Sequence, residues 1–140
     1  MLRLREEAGN NIGANFDPSH MFWQGIDPIM AVCKLKEAIF YCHAKDTKIS
    51  QHNTSINGAL DTKHYSDEFH RSWIFRTVGY GHSFEFWNDF VSTLRMVGYD
   101  DVLSIEHEDS LMSVNEGLTK AVDFLKQVVL FEQKGAMWWA

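Results

Sequence analysis

Gly98-Tyr99-Asp100-Asp101-Val102-Leu103-Ser104-Ile105-Glu106 is the stretch on which the fold turns. Upstream of it, Phe84, Trp87, Val91, Leu94 and Val97 recur at helical spacing, so an amphipathic helix runs into Gly98, a residue suited to ending it. Tyr99-Asp100-Asp101 then turns the chain, and Val102 to Glu106 is a short apolar run that finishes on a carboxylate. A helix that feeds through a tight turn into a short buried strand is half of an alternating α/β unit.

The same rhythm extends outward in both directions. Downstream, Ser113-Val114-Asn115-Glu116 is a capping box, and Leu118, Val122, Leu125 and Val129 give the apolar stripe of a final helix. Upstream, Asp27-Pro28 starts a helix with an aspartate cap and proline at the first helical position, followed by Ile29, Val32, Cys33 and Lys36. Ala38 to Cys42 is a second short strand and ends at His43. Asn11 to Asp17 is a third, preceded by a helix over Leu2 to Ala8 that stops at Gly9. Between Thr47 and Gly81 the sequence is polar and reads as one long irregular loop, of the kind that serves as a lid or partner-binding element. The order is strand, helix, strand, loop, helix, strand, helix, which predicts a parallel sheet with crossover helices.

Composition sets the class. The chain has 140 residues, 45% hydrophobic and 14% aromatic, which predicts one globular domain over residues 1–140 and excludes a disordered segment. No apolar run approaches the ~18 residues of a membrane span, so no membrane association is expected. Met1 to Glu7 lacks the apolar core of a signal peptide. Two cysteines, Cys33 and Cys42, make no disulfide framework, and reduced thiols in the cytoplasm are expected. The formal net charge is -6 and the basic residues are scattered, which argues against a duplex nucleic-acid partner. Met137-Trp138-Trp139 is apolar without an evident partner.

In parallel sheets, chemistry gathers at the C-terminal strand ends. Here those ends are Asp17, His43 and Glu106, with His20, Asp46, His107 and Asp109 close behind them. Taken singly each has a plain structural reading: Asp17-Pro18 as a turn, His43 as a core histidine, Glu106 as a salt-bridged acid. Taken together, two carboxylates and an imidazole from neighbouring strands form a mixed oxygen and nitrogen donor set for a divalent metal such as Mn, Mg, Co or Zn.

Asn15-Phe16-Asp17-Pro18-Ser19-His20, His43-Ala44-Lys45-Asp46-Thr47-Lys48, Gly79-Tyr80-Gly81 and the stretch from Gly98 to Asp109 resemble the sugar phosphate isomerase/epimerase family of the xylose isomerase-like TIM barrel superfamily. The resemblance runs from about Asn11 to Leu125. It implies the C-terminal three βα units of a (β/α)8 TIM barrel, incomplete in this chain. A full barrel takes about 250 residues, so a truncated frame, a homo-oligomer or association with a complementary barrel portion is expected. In the family, a metal is held by Glu, Asp, His and Glu from the last four strands. Asp17, His43 and Glu106 match the last three, and the strand bearing the first glutamate has no counterpart. The resemblance further implies that Glu106 moves the proton and that His20 and Arg76 contact substrate. The activity implied is metal-dependent isomerisation, epimerisation or dehydration of a sugar or sugar-derived ketone, starting with removal of a proton next to a carbonyl to give an enediolate. Two alternatives stand beside it. One is a catalytically incomplete barrel portion acting as an oligomerising or structural module. The other, an endonuclease IV-like nuclease, is disfavoured because Trp73 and Phe75 stand where those relatives carry the Asp and His of a further zinc site.

Overall fold

A computed structural model describes residues 1–139. Along the chain lie α1 (Leu2–Ala8), β1 (Ala14–Phe16), α2 (Ser19–Phe22), α3 (Pro28–Leu35), a 3-10 turn (Lys36–Ala38), β2 (Ile39–Ala44) and β3 (Asp46–Ile49). There follow α4 (Gln51–Asn57), β4 (Trp73–Arg76), α5 (Phe84–Met96), β5 (Leu103–Ile105) and α6 (Val114–Val128). Strands β1, β2 and β5 form one sheet in that order, parallel throughout, with Phe16 opposite Cys42 and His43 opposite Ser104. The expected α/β alternation and parallel pairing are both present.

The strands sort their side chains by alternation. Phe16, Cys42 and Ala44 are buried against the helices, while Asn15, Tyr41 and His43 point to the opposite face. Helix α3 begins as its sequence dictates, Asp27 Oδ1 accepting from the Ile29 and Met30 backbone N–H groups at 2.9 and 3.2 Å. From α5 the residues Trp87, Phe90, Val91 and Leu94 enter the core. Phe84, expected in that stripe, lies outside and stacks on Phe124 at 4.1 Å. Helix α6 is also rotated from expectation. Its buried face is Gly117, Ala121, Leu125 and Val128, whereas Leu118 and Val122 stay exposed. Close approach is the cause: a Cβ on Gly117 would fall 2.2 Å from the His107 ring, so small residues take the tight side. Val122 instead lines an apolar cleft of about 430 Å³ beside Leu103, where β5 has no strand neighbour on its outer edge among the described residues.

The Thr47–Gly81 stretch is not an irregular loop. Strands β3 and β4 pair antiparallel, Thr47 opposite Phe75 and Ile49 opposite Trp73, and α4 follows β3 with Ser50 Oγ accepting from Asn53 N–H. Each strand is four residues long and α4 buries nothing, so neither produces a visible apolar period. This excursion leaves the sheet at the end of β2 and returns to it through α5, which places it over the C-terminal strand ends.

Candidate active site at the strand ends

Asp17, directly after β1, does two things. Its Oδ1 accepts from Ser19 N–H at 2.8 Å, the turn its Asp-Pro sequence suggests, while Oδ2 faces Lys45 Nζ at 3.2 Å and His20 Nε2 at 3.4 Å. His43 leaves β2 on the helix-free face. Asn15 Nδ2 donates to His43 Nε2 at 2.9 Å, which orients the ring, and Nδ1 lies 3.5 Å from Glu106 Oε1. That Nδ1 is buried and lacks a hydrogen-bond partner. Glu106 follows β5 with its side chain partly open to solvent. Asp17, His20, His43 and Glu106 therefore assemble at one end of the sheet.

At the centre of the group is Lys45, a residue not singled out from sequence. It is 2% exposed. Its Nζ contacts Glu106 Oε2 at 2.7 Å, Glu108 Oε2 at 3.1 Å and Asp17 Oδ2 at 3.2 Å, and it lies 4.6 Å from the centre of the Phe75 ring. Burial works to depress the ammonium, but the hydrogen bond to Glu106 and the charges of Asp17 and Glu108 prevail and hold its pKa above the ordinary lysine range. The available signal was its place directly after a strand, between a candidate ligand and a buried aspartate.

Asp46 is fully buried and belongs to the scaffold. Oδ1 accepts from Thr47 N–H and from His82 Nδ1, at 2.8 and 2.7 Å. Oδ2 accepts from the backbone N–H groups of Gly79, Gly81 and His82 and from the Trp87 indole, at 2.9 to 3.3 Å. Gly81 is required here, since a Cβ would come 2.4 Å from both Asp46 Oδ1 and the Thr47 carbonyl oxygen. The Gly-Tyr-Gly turn thus closes the excursion onto the start of α5. Arg76 is not brought into the group: its Nε donates to buried Asp109 Oδ2 at 3.0 Å, and its guanidinium lies over Tyr80. Asp109 also accepts from Thr77 and Leu111 N–H groups; burial opposes its charge, but these bonds and Arg76 keep its pKa below the usual carboxylate value. Trp73 and Phe75 are buried on β4.

The donor types suit a divalent cation. His43 Nδ1 is an orphaned buried nitrogen next to a carboxylate oxygen, and a half-turn of the Asn15 amide would let Nε2–H donate and free Nδ1 as a ligand. Asp17 joins this pair only through Lys45, whose ammonium fills the point where Asp17, Glu106 and Glu108 meet, and no three His, Cys, Asp or Glu side chains among the described residues form a group that could hold a metal ion. Next to the group lies a cavity of about 790 Å³, lined by His20, Lys45, Tyr65, Phe75, Glu106 and Glu108 among others. Both cysteines are free, and no helix among the described residues is long and apolar enough to cross a membrane.

A family described as the xylose isomerase-like TIM barrel matches residues 1–128. The chain is 40% identical over 129 residues to the uncharacterized protein YfiH of Bacillus subtilis (strain 168), covering 92% of this chain and 41% of that protein. It is also similar to the crystal structure of a xylose isomerase domain protein from Planctomyces limnophilus, with TM-score 0.64 and 25% identity, over 91% of this chain and 39% of that one. The chain therefore spans about two fifths of the length of each relative.

Proposed function

The chain belongs to the xylose isomerase-like TIM barrel family, and we propose that it supplies the proton-moving side of a metal-dependent sugar isomerase or epimerase. The observation that carries this is the convergence of Asp17, His43 and Glu106 at adjacent parallel strand ends, with the orphaned His43 Nδ1 3.5 Å from Glu106 Oε1. Of the three, His43 and Glu106 would hold a divalent ion (Mn, Mg, Co or Zn), with Asp17 joining them only where the Lys45 ammonium between it and Glu106 gives way; the ion would polarise the substrate carbonyl and stabilise the enediolate. Glu106 takes the proton from the carbon next to the carbonyl: its Oε2 is engaged by Lys45, its Oε1 faces His43, and the side chain opens to the cavity. Lys45 holds Glu106 Oε2 at 2.7 Å and so sets the direction of the carboxylate. The lysine's charge, raised in pKa by its carboxylate partners, stays on throughout. His20, exposed at the cavity wall beside Asp17, is placed to hydrogen-bond a substrate hydroxyl. Arg76 enters this reading as the residue that anchors Asp109. The substrate is a small sugar or sugar-derived ketone.

The test is solvent deuterium exchange into keto sugars with added Mn. Glu106→Gln should abolish exchange and preserve the fold, and Mn binding followed by electron paramagnetic resonance should weaken in His43→Ala. Undiminished exchange in Glu106→Gln, or Mn binding indifferent to His43, refutes the reading. A second reading, an oligomerising barrel portion without turnover, is favoured by one observation: the exposed Val122 in the apolar cleft beside the outer edge of β5. Association of the chain with a second copy in light scattering, with no Mn binding, would select it.

A further inference from the structure

The excursion over the strand ends contains an arrangement that the proton chemistry does not use. Arg71 is 2% exposed, yet its hydrogen bonds go to backbone carbonyls: Nε to Trp73 at 3.1 Å, and Nη1 to Lys63. Its guanidinium packs on two rings, 4.2 Å from the centre of Tyr65 and 4.9 Å from that of Trp73. Tyr65 in turn lies nearly parallel to Phe75, at 15°. A buried arginine, a buried tryptophan and a buried phenylalanine thus hold a tyrosine that is itself 52% exposed. Exposed tyrosines on loops are ordinarily mobile; this one is braced, and it lines the same cavity as Glu106 and His20.

The rest of the wall is mixed: Ile74, Met112 and Val114 are apolar, His20 and His107 are imidazoles, and of its three acids Asp109 is buried. Glu106 and Glu108 are the partly exposed charges, and the one ammonium there, Lys45, is already engaged by three carboxylates. Carboxylates accept hydrogen bonds from hydroxyls and repel phosphate. An aromatic face attracts the polarised C–H groups of a saturated ring, because its π cloud is negative. A rigid ring opposite hydroxyl acceptors suits a ligand with one C–H face and a hydroxylated rim.

We propose that Tyr65, braced by Arg71 and Phe75, is a stacking subsite that makes this cavity take an uncharged six-membered polyol ring, either a pyranoside or a cyclitol, in preference to an open-chain sugar phosphate. The proposal rests on the functional reading above for the neighbouring chemistry, but its test needs no turnover. Saturation-transfer NMR and titration would use methyl β-glucopyranoside and myo-inositol as ring probes and ribulose phosphate as the open-chain anion. At least one ring should bind and receive saturation from aromatic protons, and the responding probe identifies the ring type. Tyr65→Ala should weaken ring binding about three- to tenfold, Tyr65→Phe should keep it, and ribulose phosphate should bind more weakly than the ring. Tyr65→Phe keeps the ring over Arg71 and Phe75, and urea denaturation of Tyr65→Ala checks that its loss of binding is not a loss of fold. Equal ring affinity in Tyr65→Ala, failure of both rings to bind, or preference for the open-chain phosphate overturns the proposal. Tyr65-dependent ring binding without deuterium exchange would overturn the proton chemistry and leave this subsite standing; exchange without it does the reverse.

Discussion

Replacing Asp46 with asparagine tests whether one buried carboxylate ties the excursion to the barrel-like sheet. Six N–H groups converge on it, two on Oδ1 and four on Oδ2. An asparagine can present its oxygen to only one of these sets. The better orientation keeps the oxygen toward Gly79, Gly81, His82 and Trp87 and turns the amide NH2 toward Thr47 N–H and His82 Nδ1. The His82 ring can lose its Nδ1 proton and accept, but Thr47 N–H is left facing another donor. The opposite orientation abandons four donors.

A buried donor without a partner costs about 1–3 kcal/mol, and hydrogen bonds to a charged acceptor exceed neutral ones by about 1 kcal/mol each. These terms come to about 5–7 kcal/mol, and burying a neutral amide in place of a carboxylate recovers roughly 2 kcal/mol, so Asp46→Asn should lose about 3–5 kcal/mol. With a urea slope of about 2 kcal/mol per M, the midpoint falls by roughly 1.5–2.5 M. Chemical denaturation followed by tryptophan fluorescence reads this directly, since Trp87 is one of the donors. The exposed Asp89→Asn on α5 serves as control and should stay within about 0.5 kcal/mol of the parent. A midpoint drop below about 0.5 M in Asp46→Asn would mean that the six donors find partners elsewhere and that this carboxylate does not tie the excursion down.

Other consequences can be checked in the same way. Lys45→Met removes the ammonium shared by Asp17, Glu106 and Glu108; with Asp17 half-buried and the two glutamates partly solvated, a loss of about 1–3 kcal/mol is expected in urea denaturation. No loss would make Lys45 a spectator. Asp61 is opposed by burial but held down to a pKa of about 2 by the N–H groups of Ser72 and Lys63 and by the Lys63 ammonium. Its folded pKa is depressed, so its contribution is complete above about pH 4 and disappears as pH falls toward about 2. Ser72 amide exchange should report local opening across that window, and Asp61→Asn should flatten the response. Gly117→Ala on α6 sets two effects against each other: helix propensity favours alanine by about 1 kcal/mol, while a Cβ 2.2 Å from the His107 ring overpacks by about 1–3 kcal/mol. Packing should prevail, giving a lower melting temperature; a higher one would show that His107 moves freely.

The parallel sheet was legible because its crossover helices carry strong punctuation. Asp27-Pro28, Gly98 and the Ser113 capping box mark helix ends by local chemistry, and local chemistry survives folding. What escaped was set by neighbours far along the chain. The α6 face turned toward Gly117 because His107 occupies the space beside it, and the sequence of α6 alone points to Leu118 and Val122. Strands β3 and β4 escaped because a four-residue strand such as Trp73-Ile74-Phe75-Arg76 has too few alternations to stand out against polar surroundings. Asp17, His43 and Glu106 were visible as strand-end residues. Lys45 was hidden by the ordinary expectation that a lysine is solvated, since only the three carboxylates, one at the end of β1 and two more than sixty positions downstream, make its burial possible.

Lys45 also changes how the strand-end charges should be counted. Asp17, Glu106 and Glu108 around a single ammonium leave two net negative charges at the mouth of the cavity. Without the lysine, the same three carboxylates would attract an ion strongly but would repel one another and leave Glu106 poorly aimed. With it, Glu106 Oε2 is pinned at 2.7 Å while Oε1 stays free toward His43. In the proposed function, holding one oxygen of Glu106 and leaving the other available would let the carboxylate both keep its direction and take a proton. On this argument the lysine and the glutamate are a single functional unit, which predicts that Lys45→Met and Glu106→Gln will be strongly non-additive in deuterium exchange. Additive losses would mean that the two act separately.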